Sequence, residues 1–325
     1  MQSDNTISNM VVQANSSQLS SMQEHGIVTD LARLLRSRHW ARKLKLFSNQ
    51  AARSMLLGET RSRFRGRGME FEEVRRYQPG DDIRTIDWRV SARTGKTHTK
   101  LFCEERERPV HILADQRASL YFGSQKQFKS VLAAELATGL AWAALAGSDR
   151  VGGQIIGQLR ESDSRARRNK QAVLKLIHDL NELNHELPNA INSSQSTPVI
   201  SIAESLEECR RLTRPGTAIF IISDFNDFDL AAVKQLSNLG KHTDLTLVQV
   251  VDTLESELPA LGRVPISDGQ HKRSVQLGNK LKHAYKQKLD ERQKLLENAA
   301  ARSRARFTKI STEQSARDAL TALFA

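Results

Sequence analysis

The chain has 325 residues, of which 39% are hydrophobic and 26% charged, and its formal net charge at pH 7 is +12. This length and apolar content suffice for one large globular domain with appendages, or for two small domains. No run of about 18 to 20 apolar residues occurs, and residues 1–25 have no apolar run beside a basic start, so the sequence indicates neither a membrane span nor a signal peptide.

The two cysteines, Cys103 and Cys209, are far apart and have no partner motif. This spacing argues against a disulfide scaffold or a structural zinc site and favours a reducing, cytoplasmic location. The positive charge suits nucleic acid, anionic lipid or an acidic protein surface. Because aromatic residues make up only 5% and no nucleic-acid-binding motif is present, a basic face for an acidic protein is favoured over nucleic-acid binding.

The N-terminal part is predicted to contain a tail and a helix. Residues 1–26 lack periodicity and large apolar side chains, which predicts a flexible polar tail. Residues 27–60 are predicted to form a basic helical segment, in which Thr29 or Asp30 caps a helix. Four leucines lie near one face of that helix: Leu31, Leu34, Leu35 and Leu44. Packing of this face on its own domain is favoured over an anionic membrane, so any membrane contact is at most peripheral.

Residues 61–108 hold glycines, carboxylates and arginines in dense alternation. Gly66, Gly68, Gly80 and Gly95 interrupt the segment every few residues, so it is expected to form short strands and turns rather than a helix. We call it the signature segment.

The signature carboxylates allow two interpretations. Asp81, Asp82 and Asp87 suit a metal-dependent hydrolase, with Glu70 or Glu72 as the base. Five arginines are interleaved with them: Arg75, Arg76, Arg84, Arg89 and Arg93. A structural network of ion pairs is therefore favoured, because a carboxylate paired with arginine has a lowered pKa and is a weak base. Tyr77 and Trp88 are then expected to be apolar anchors.

Residues 109–325 alternate between buried-type strands and helical patterns. The predicted strands are Pro109–Asp115, Val151–Gly157, Thr217–Asp224, Thr243–Val251 and Ala305–Ile310, and helices are expected after each of the first four and at Glu313–Phe324. This order predicts an α/β fold with a doubly wound, mainly parallel sheet covered by helices on both faces. Residues 262–278 interrupt the alternation and predict a β-hairpin insertion, followed by a long polar helix through Leu281 and Tyr285.

The signature segment resembles that of the bacterial domain-of-unknown-function 58 family. The residues that carry the resemblance are Gly68, Glu70, Phe71, Arg75, Tyr77, Gly80, Asp81, Asp82, Arg84, Asp87, Trp88, Arg93 and Thr94, together with Val74, Pro79, Ile86 and Ala92. The resemblance implies a fold like a von Willebrand factor A domain and partnership with a MoxR-type AAA+ ATPase. It also marks the signature residues as an interaction surface.

A von Willebrand A-like fold further implies a Mg²⁺ site. Such a site uses an Asp-x-Ser-x-Ser loop, a threonine and a later aspartate, which here correspond to Asp115, Ser119, Thr197 and Asp224. Asp115 and Asp224 also end predicted strands, where ligands collect in open α/β sheets. Arg117 stands where the loop has its first serine, and a guanidinium has no lone pair for a metal. Our hypothesis is therefore a degenerate site in which Arg117 bridges Asp115 and Asp224.

Other cofactor and catalytic motifs fail. Gly95-Lys96-Thr97 lacks the first glycine of a Walker loop, because position 90 is Val, and Phe71 stands where a dinucleotide-binding loop needs glycine. We therefore expect no cofactor, with Mg²⁺ the one ion to consider, and identify no small-molecule substrate. The expected function is that of a non-enzymatic protein-interaction module in the cytoplasm, an adaptor or substrate receptor that brings a client protein to a MoxR-type ATPase. The alternatives are a metal-dependent hydrolase and nonspecific nucleic-acid binding.

Overall fold

The structure is a computed structural model that describes residues 26–47, 69–104, 108–192, 200–256, 262–267 and 272–325. The described residues form two compact units, one made of 26–47 and 108–325 and one made of 69–104. Apart from Gly26, the polar tail predicted for residues 1–26 lies outside this part of the chain.

The helices and strands alternate along most of the chain. The helices are α1 (Leu31–Arg36), α2 (Arg38–Ala41), α3 (Trp88–Thr94), α4 (Lys129–Ala146), α5 (Lys170–Asn192), α6 (Ile202–Leu212), α7 (Leu230–Gly240), α8 (Thr253–Ser256), α9 (Asn279–Arg302) and α10 (Ala316–Leu323). The strands are β1 (Met69–Arg76), β2 (His98–Glu104), β3 (Pro109–Gln116), β4 (Arg150–Gly157), β5 (Glu161–Arg167), β6 (Ala218–Ser223), β7 (Asp244–Val251), β8 (Gly262–Ser267), β9 (Lys272–Leu277) and β10 (Arg306–Ser311).

The larger unit is built on a six-stranded sheet in the order β10-β7-β6-β3-β4-β5. Every neighbouring pair is parallel except β4 and β5. The predicted α/β fold with a mainly parallel sheet is confirmed. The edge strand β5 was not predicted, because its Glu, Asp, Ser and Arg side chains lack the apolar signal of a buried strand.

Successive side chains of the buried strands point to opposite faces of the sheet, and the core therefore has two layers. In β6, Ala218, Phe220 and Ile222 face the layer with α4, α5 and α10, whereas Ile219 and Ile221 face the layer with α6, α7 and α9. Side chains of period two point to opposite faces of a sheet, so one strand supplies both layers. The result is a sheet covered on both faces.

Helix α4 lies in the middle of the first layer. Among the described helices it has the length and apolarity of a membrane span, and 89% of it is buried inside the protein. It packs on β3, α5, α10 and α2. An evenly apolar helix of this kind is expected at the centre of a large core.

The N-terminal helices belong to the same unit. Asp30 caps α1 by accepting a hydrogen bond from Ala32 N, as predicted, but α1 ends at Arg36 instead of continuing to Leu44. Of the leucines on the helix, Leu34 is buried in the core, whereas Leu31 and Leu35 are exposed. The segment packs on its own domain, with a narrower apolar face than the leucine spacing predicted.

The C-terminal third follows the prediction, with the β8–β9 hairpin, long helix α9, strand β10 and helix α10. Helix α6 was not predicted, although its first turn has a clear signal. Ser201 and Glu204 form a capping box, in which each side chain accepts a hydrogen bond from the backbone N–H of the other residue.

The smaller unit pairs β1 with β2 in antiparallel fashion and carries a helix between them. Gly80 has a φ of +107° in the turn from Gln78 to Asp81, and Gly95 has a φ of +68° at the end of α3. Only glycine adopts such angles without strain. The expectation of strands and turns without a helix was wrong, because Gly95 ends a helix that Asp87 begins.

The pH dependence of stability is expected to include a contribution from His111 in the middle of β3. Burial lowers the pKa of this imidazole to about 4, and its Nε2 has no hydrogen-bond partner. Below pH 6.5 the unfolded chain binds a proton that the folded protein excludes. His111 should therefore reduce the free energy of unfolding by about 2 kcal/mol between pH 7 and pH 5.

Urea unfolding at both pH values tests this expectation. His111→Leu should lose less stability on acidification than the wild type, while His178→Gln, at an exposed position of α5, should behave like the wild type. Equal pH dependence in His111→Leu and the wild type would contradict the assignment.

Candidate functional site

The candidate site lies where the chain order of the sheet reverses. Strands β3 and β6 are neighbours at the centre, and the chain continues from β3 to β4 on one side and from β6 to β7 on the other. At such a point the loops after the two strands diverge and leave room for side chains to converge. Asp115 lies near the end of β3, and Asp224 follows β6.

Asp115 is fully buried and all of its acceptor positions are used. Its Oδ1 accepts from the backbone N of Arg117 (3.0 Å) and from Arg117 Nε (2.9 Å). Its Oδ2 accepts from Arg117 Nη2 and Ser223 Oγ, both at 2.7 Å. A carboxylate has about four lone-pair sites, so no site remains for a further ligand.

Arg117 is equally saturated. Besides Asp115, its Nη1 donates to Asp227 Oδ2 (2.6 Å) and to the backbone O of Ile200 (3.0 Å), and its Nη2 donates to Asp227 Oδ1 (3.0 Å). These bonds use all five N–H groups of the guanidinium. We call Asp115, Arg117, Ser223 and Asp227 the Arg117 cluster. It joins β3, the loop after β6 and the residues before α6.

The charges in the Arg117 cluster stabilise one another. Burial raises the pKa of Asp115 and the bidentate bonds from Arg117 oppose it, and the four donors around the carboxylate fit its ionised form. Burial also works against ionisation of Asp227, yet the bonds from Arg117 hold the pKa of Asp227 below its usual value. Burial lowers the pKa of Arg117, but its two carboxylates more than offset this effect and raise that pKa above its ordinary value.

A second buried cation, Lys129, is the first residue of α4, and its side chain is 2% exposed. Its Nζ contacts Asp224 Oδ2 (3.0 Å) and Glu255 Oε1 (2.6 Å), and Ser119 Oγ donates to Asp224 Oδ1 (3.3 Å). Burial lowers the pKa of Lys129, but the two carboxylates outweigh burial and raise it. We call Ser119, Asp224, Lys129 and Glu255 the Lys129 cluster.

Asp252, just after β7, is a third buried carboxylate at this edge of the sheet. It accepts from Ser124 N and Oγ, from Thr312 Oγ1 and from Leu254 N. Burial raises its pKa, but these four donors lower it below the usual value. Asp252 thereby joins the loop after β3 to the ends of β7 and β10.

The residues predicted to hold Mg²⁺ come together only in part. Asp115, Ser119 and Asp224 lie at the same edge of the sheet, whereas Thr197 lies outside the described residues. Arg117 pairs with Asp115 as hypothesised, but its second partner is Asp227 rather than Asp224. Asp224 pairs with Lys129 instead. No sequence pattern identifies this second cation, because a lysine at the start of an apolar helix is common and does not reveal its distant partners.

The arrangement does not fit a resident divalent ion. A dication at this edge would face the positive charges of Arg117 and Lys129, and the acceptor sites of Asp115 are already filled. Nor do the described residues include a group of three or more His, Cys, Asp or Glu side chains placed to hold a metal. The cations that pair with these carboxylates are supplied by the protein itself.

The signature carboxylates have separate structural roles. Asp81 accepts from Arg75 Nη2 (2.7 Å) and Gln78 N (2.9 Å) within the Gly80 turn. Asp82 caps the 3-10 helix Ile83–Thr85, and Asp87 caps α3 by accepting from Arg89 N and Val90 N. The hydrogen bond from Val90 N is the main reason that the pKa of Asp87 is lowered. The three carboxylates therefore do not converge on one site.

The signature arginines differ from the prediction. Arg75 pairs with Asp81, but Arg84, Arg89 and Arg93 are exposed and form no ion pair with any described residue. Trp88 is 69% exposed, so the expectation that it is a packed apolar anchor was wrong.

Two further residues of the family signature, Tyr77 and Thr94, make hydrogen bonds within the smaller unit. Tyr77 is half-buried and donates to the backbone O of Asp81 (3.3 Å), and Thr94 donates from its hydroxyl to Val90 O (2.9 Å) within α3. The side chains of Glu70 and Phe71 in β1 are not among those described, and Gly68 lies outside the described residues.

Loss of Arg117 should be strongly destabilising. Arg117→Met leaves Asp115 buried without its counter-charge, which should reduce the free energy of unfolding by about 3 to 5 kcal/mol. The double variant Asp115→Asn/Arg117→Met should recover part of that loss. Arg160→Ala, which removes exposed pairs with Glu182 and Glu186, should cost at most about 1 kcal/mol in urea unfolding. Similar losses for Arg117→Met and Arg160→Ala would contradict this account.

Magnesium should leave the stability of the protein unchanged. Thermal melts with and without millimolar Mg²⁺ should coincide, because protein donors already fill the acceptor positions of Asp115, and Lys129 already contacts Asp224. A Mg²⁺-dependent rise in melting temperature that disappears in Asp115→Ala would overturn this expectation.

Comparison with known proteins identifies the family. The chain is similar to the uncharacterized protein Rv1480 of Mycobacterium tuberculosis and the uncharacterized protein Mb1516 of Mycobacterium bovis, each 28% identical over 229 residues, which is 70% of this chain and 69% of theirs. Among solved structures, the conserved hypothetical protein BatB from Bacteroides thetaiotaomicron aligns with a TM-score of 0.44 and 14% identity, covering 66% of this chain and 95% of that one. An aerotolerance-related membrane protein from Bacteroides fragilis gives a TM-score of 0.41 and 15% identity, covering 66% and 96%. The model of the family "Protein of unknown function DUF58" matches residues 73–295, which is most of the chain, and this protein therefore belongs to the DUF58 family.

Proposed function

We propose that this protein is a non-catalytic protein-interaction module that acts in the cytoplasm as an adaptor or substrate receptor for a MoxR-type AAA+ ATPase. The Arg117 cluster supports a non-catalytic role. Every N–H of Arg117 and every acceptor position of Asp115 is used within the protein, so neither is free to bind or activate a substrate. At the edge of the sheet where ligands commonly bind, Asp115 and Arg117 therefore make only structural hydrogen bonds.

The observation that carries the interaction role is the exposure of apolar and arginine side chains in the smaller unit. Ile83 is 66% and Trp88 69% exposed, and Arg84, Arg89 and Arg93 lie beside them in the sequence. We call these five residues the signature face. Tryptophan and arginine are the residue types that most often dominate the binding energy of protein interfaces. A face with three arginines and two apolar side chains suits an acidic partner that also offers an apolar pocket.

The identity of the partner rests on the family resemblance, which links such proteins to MoxR-type ATPases. The ATPase would supply the energy for remodelling a client, and the DUF58 protein would select the client. The mainly parallel sheet agrees with a von Willebrand A-like interaction domain, which we propose on the same basis. Asp81, Asp82 and Asp87 have structural roles that leave the hydrolase alternative without a specific observation in its favour.

A binding assay with the MoxR-type ATPase of the same organism tests the proposal. Full-length protein should retain the ATPase in a pull-down in at least one nucleotide state. Trp88→Ala and Arg84→Ala should each weaken retention about tenfold or more without lowering the melting temperature, because both side chains are exposed.

Two controls belong to this assay. Asp87→Ala removes the cap of α3 and should weaken both binding and stability, whereas Arg160→Ala, in the other unit, should bind like the wild type. The proposal fails if no association occurs with ADP, with an ATP analogue or without nucleotide. If Trp88→Ala retained the ATPase as well as the wild type does, the signature face would not be the binding surface.

A further inference from the structure

Exposed apolar side chains gather at the carboxyl edge of the central sheet. Among the described residues of the larger unit, seven large apolar side chains are exposed. Five of them follow the end of a parallel strand or begin a helix at that edge: Phe122, Leu159, Leu230, Leu254 and Leu281. Exposed apolar side chains that occur singly need no explanation, but grouping at one edge indicates contact with another molecule.

Hydrogen bonds and an ion pair connect the segments of three of these residues to the Lys129 cluster. The backbone O of Phe122 accepts from Lys129 N (2.8 Å). Lys129 Nζ contacts Glu255, the residue after Leu254. Tyr285, one helical turn after Leu281, donates from its hydroxyl to the backbone O of Glu255 (2.9 Å). Phe122, Leu254 and Leu281 therefore come from three separate segments that meet at one buried ion pair.

Helix α9 adds positive charge to the same edge. Leu281, Tyr285, Lys288 and Arg292 recur at spacings of four, three and four, which places them along one side of the helix. Tyr285 on this side contacts Glu255, and Arg292 donates to the backbone O of Asn226 (2.7 Å). Lys288 lies between them and is exposed. The first eleven residues of α9 contain four lysines and one histidine and no carboxylate.

The carboxylates at this edge are engaged within the protein. Glu255 and Asp227 are partly exposed, at 34% and 38% of their side chains. The exposed Asp229 caps α7, and the exposed Glu313 accepts a hydrogen bond from Thr253 Oγ1, beside Leu254. Glu255 already pairs with Lys129, and Asp227 already pairs with Arg117. The exposed lysines Lys280, Lys286 and Lys288 form no ion pair with a described residue. Lys280, Lys286 and Lys288 therefore make the α9 side of this edge positive.

We propose that Phe122, Leu254, Leu281 and Lys288 form a second docking surface, the carboxyl-edge surface, which binds an acidic protein segment through its apolar side chains. The proposal rests on the adaptor function above and assigns this surface to the client, while the signature face serves the ATPase. Leucine cannot stack on nucleobases, so an apolar group made mainly of leucines favours a protein over single-stranded nucleic acid. The lysines supply attraction and orientation for acidic side chains, and burial of the apolar groups supplies most of the affinity.

Fluorescence anisotropy with the full-length protein tests this surface. The probe is a short fluorescein-labelled helical peptide of glutamates with leucines at positions i, i+3, i+4 and i+7. Leu281→Ser, Leu254→Ser and Lys288→Glu should each weaken binding by about tenfold. Lys294→Glu makes the same charge change on the other side of α9 and should bind the peptide like the wild type.

The outcomes separate this proposal from the adaptor function. Leu281→Ser should still retain the ATPase, and Trp88→Ala should still bind the peptide. Peptide binding in a protein that does not retain the ATPase would count against the adaptor role and leave the carboxyl-edge surface supported. The proposed docking surface is refuted if the three variants bind the peptide like the wild type, or if a peptide with serine in place of leucine binds equally well. Tighter binding of single-stranded DNA or of phosphatidylserine vesicles, weakened by the same variants, would also refute it.

Discussion

The paired burial of Asp115 and Arg117 is the interaction on which the organisation of the larger unit depends. A charge in a protein interior is costly unless a counter-charge and hydrogen bonds replace its hydration. Arg117 provides both for Asp115, and its remaining donors bind Asp227 and the backbone of Ile200. Because these partners come from β3, the loop after β6 and the start of α6, one guanidinium fixes three segments at the point where the sheet reverses its chain order.

The same solution is repeated along the edge of the sheet. Lys129 pairs with Asp224 and Glu255, while Asp252 is satisfied by hydroxyl and backbone donors from the loops after β3 and β10. Each strand end that carries a buried carboxylate is thus connected to a group from another part of the chain. In a fold where this edge commonly receives ligands, such bonds make the edge a rigid support. Any partner would then bind to exposed side chains and not to these buried charges.

Two groups of exposed side chains combine apolar groups with positive charge, and they lie in different units. The signature face presents Trp88 and Ile83 with arginines, and the carboxyl-edge surface presents Phe122, Leu254 and Leu281 beside the lysines of α9. Both combine apolar groups with positive charge, in keeping with the net charge of +12. The adaptor role proposed above requires one surface for the ATPase and another for the client, and these two surfaces are the candidates.

The amino-acid sequence by itself determined the class of fold and the family. The apolar strands and their intervening helices gave the parallel sheet, since period-two and helical patterns report which faces are buried. It also placed Asp115 and Asp224 at strand ends and marked Arg117 as incompatible with a metal loop. Two helices carry clear capping residues although hydrophobic periodicity did not predict them. These residues are the capping box of α6, and the Asp87 cap with Gly95 at the end of α3. Strand β5 lacked an apolar pattern altogether.

Only the tertiary structure decided which charges meet. Asp227 is 110 residues from Arg117, and Asp224 is 95 residues from Lys129, so no local pattern links the members of either pair. The exposure of Trp88 and Leu281 was likewise undetermined, because an apolar residue in a sequence has the same identity whether it packs in a core or faces solvent. Burial and ion pairing depend on segments brought together by the sheet order, and that order arises from packing across the whole chain.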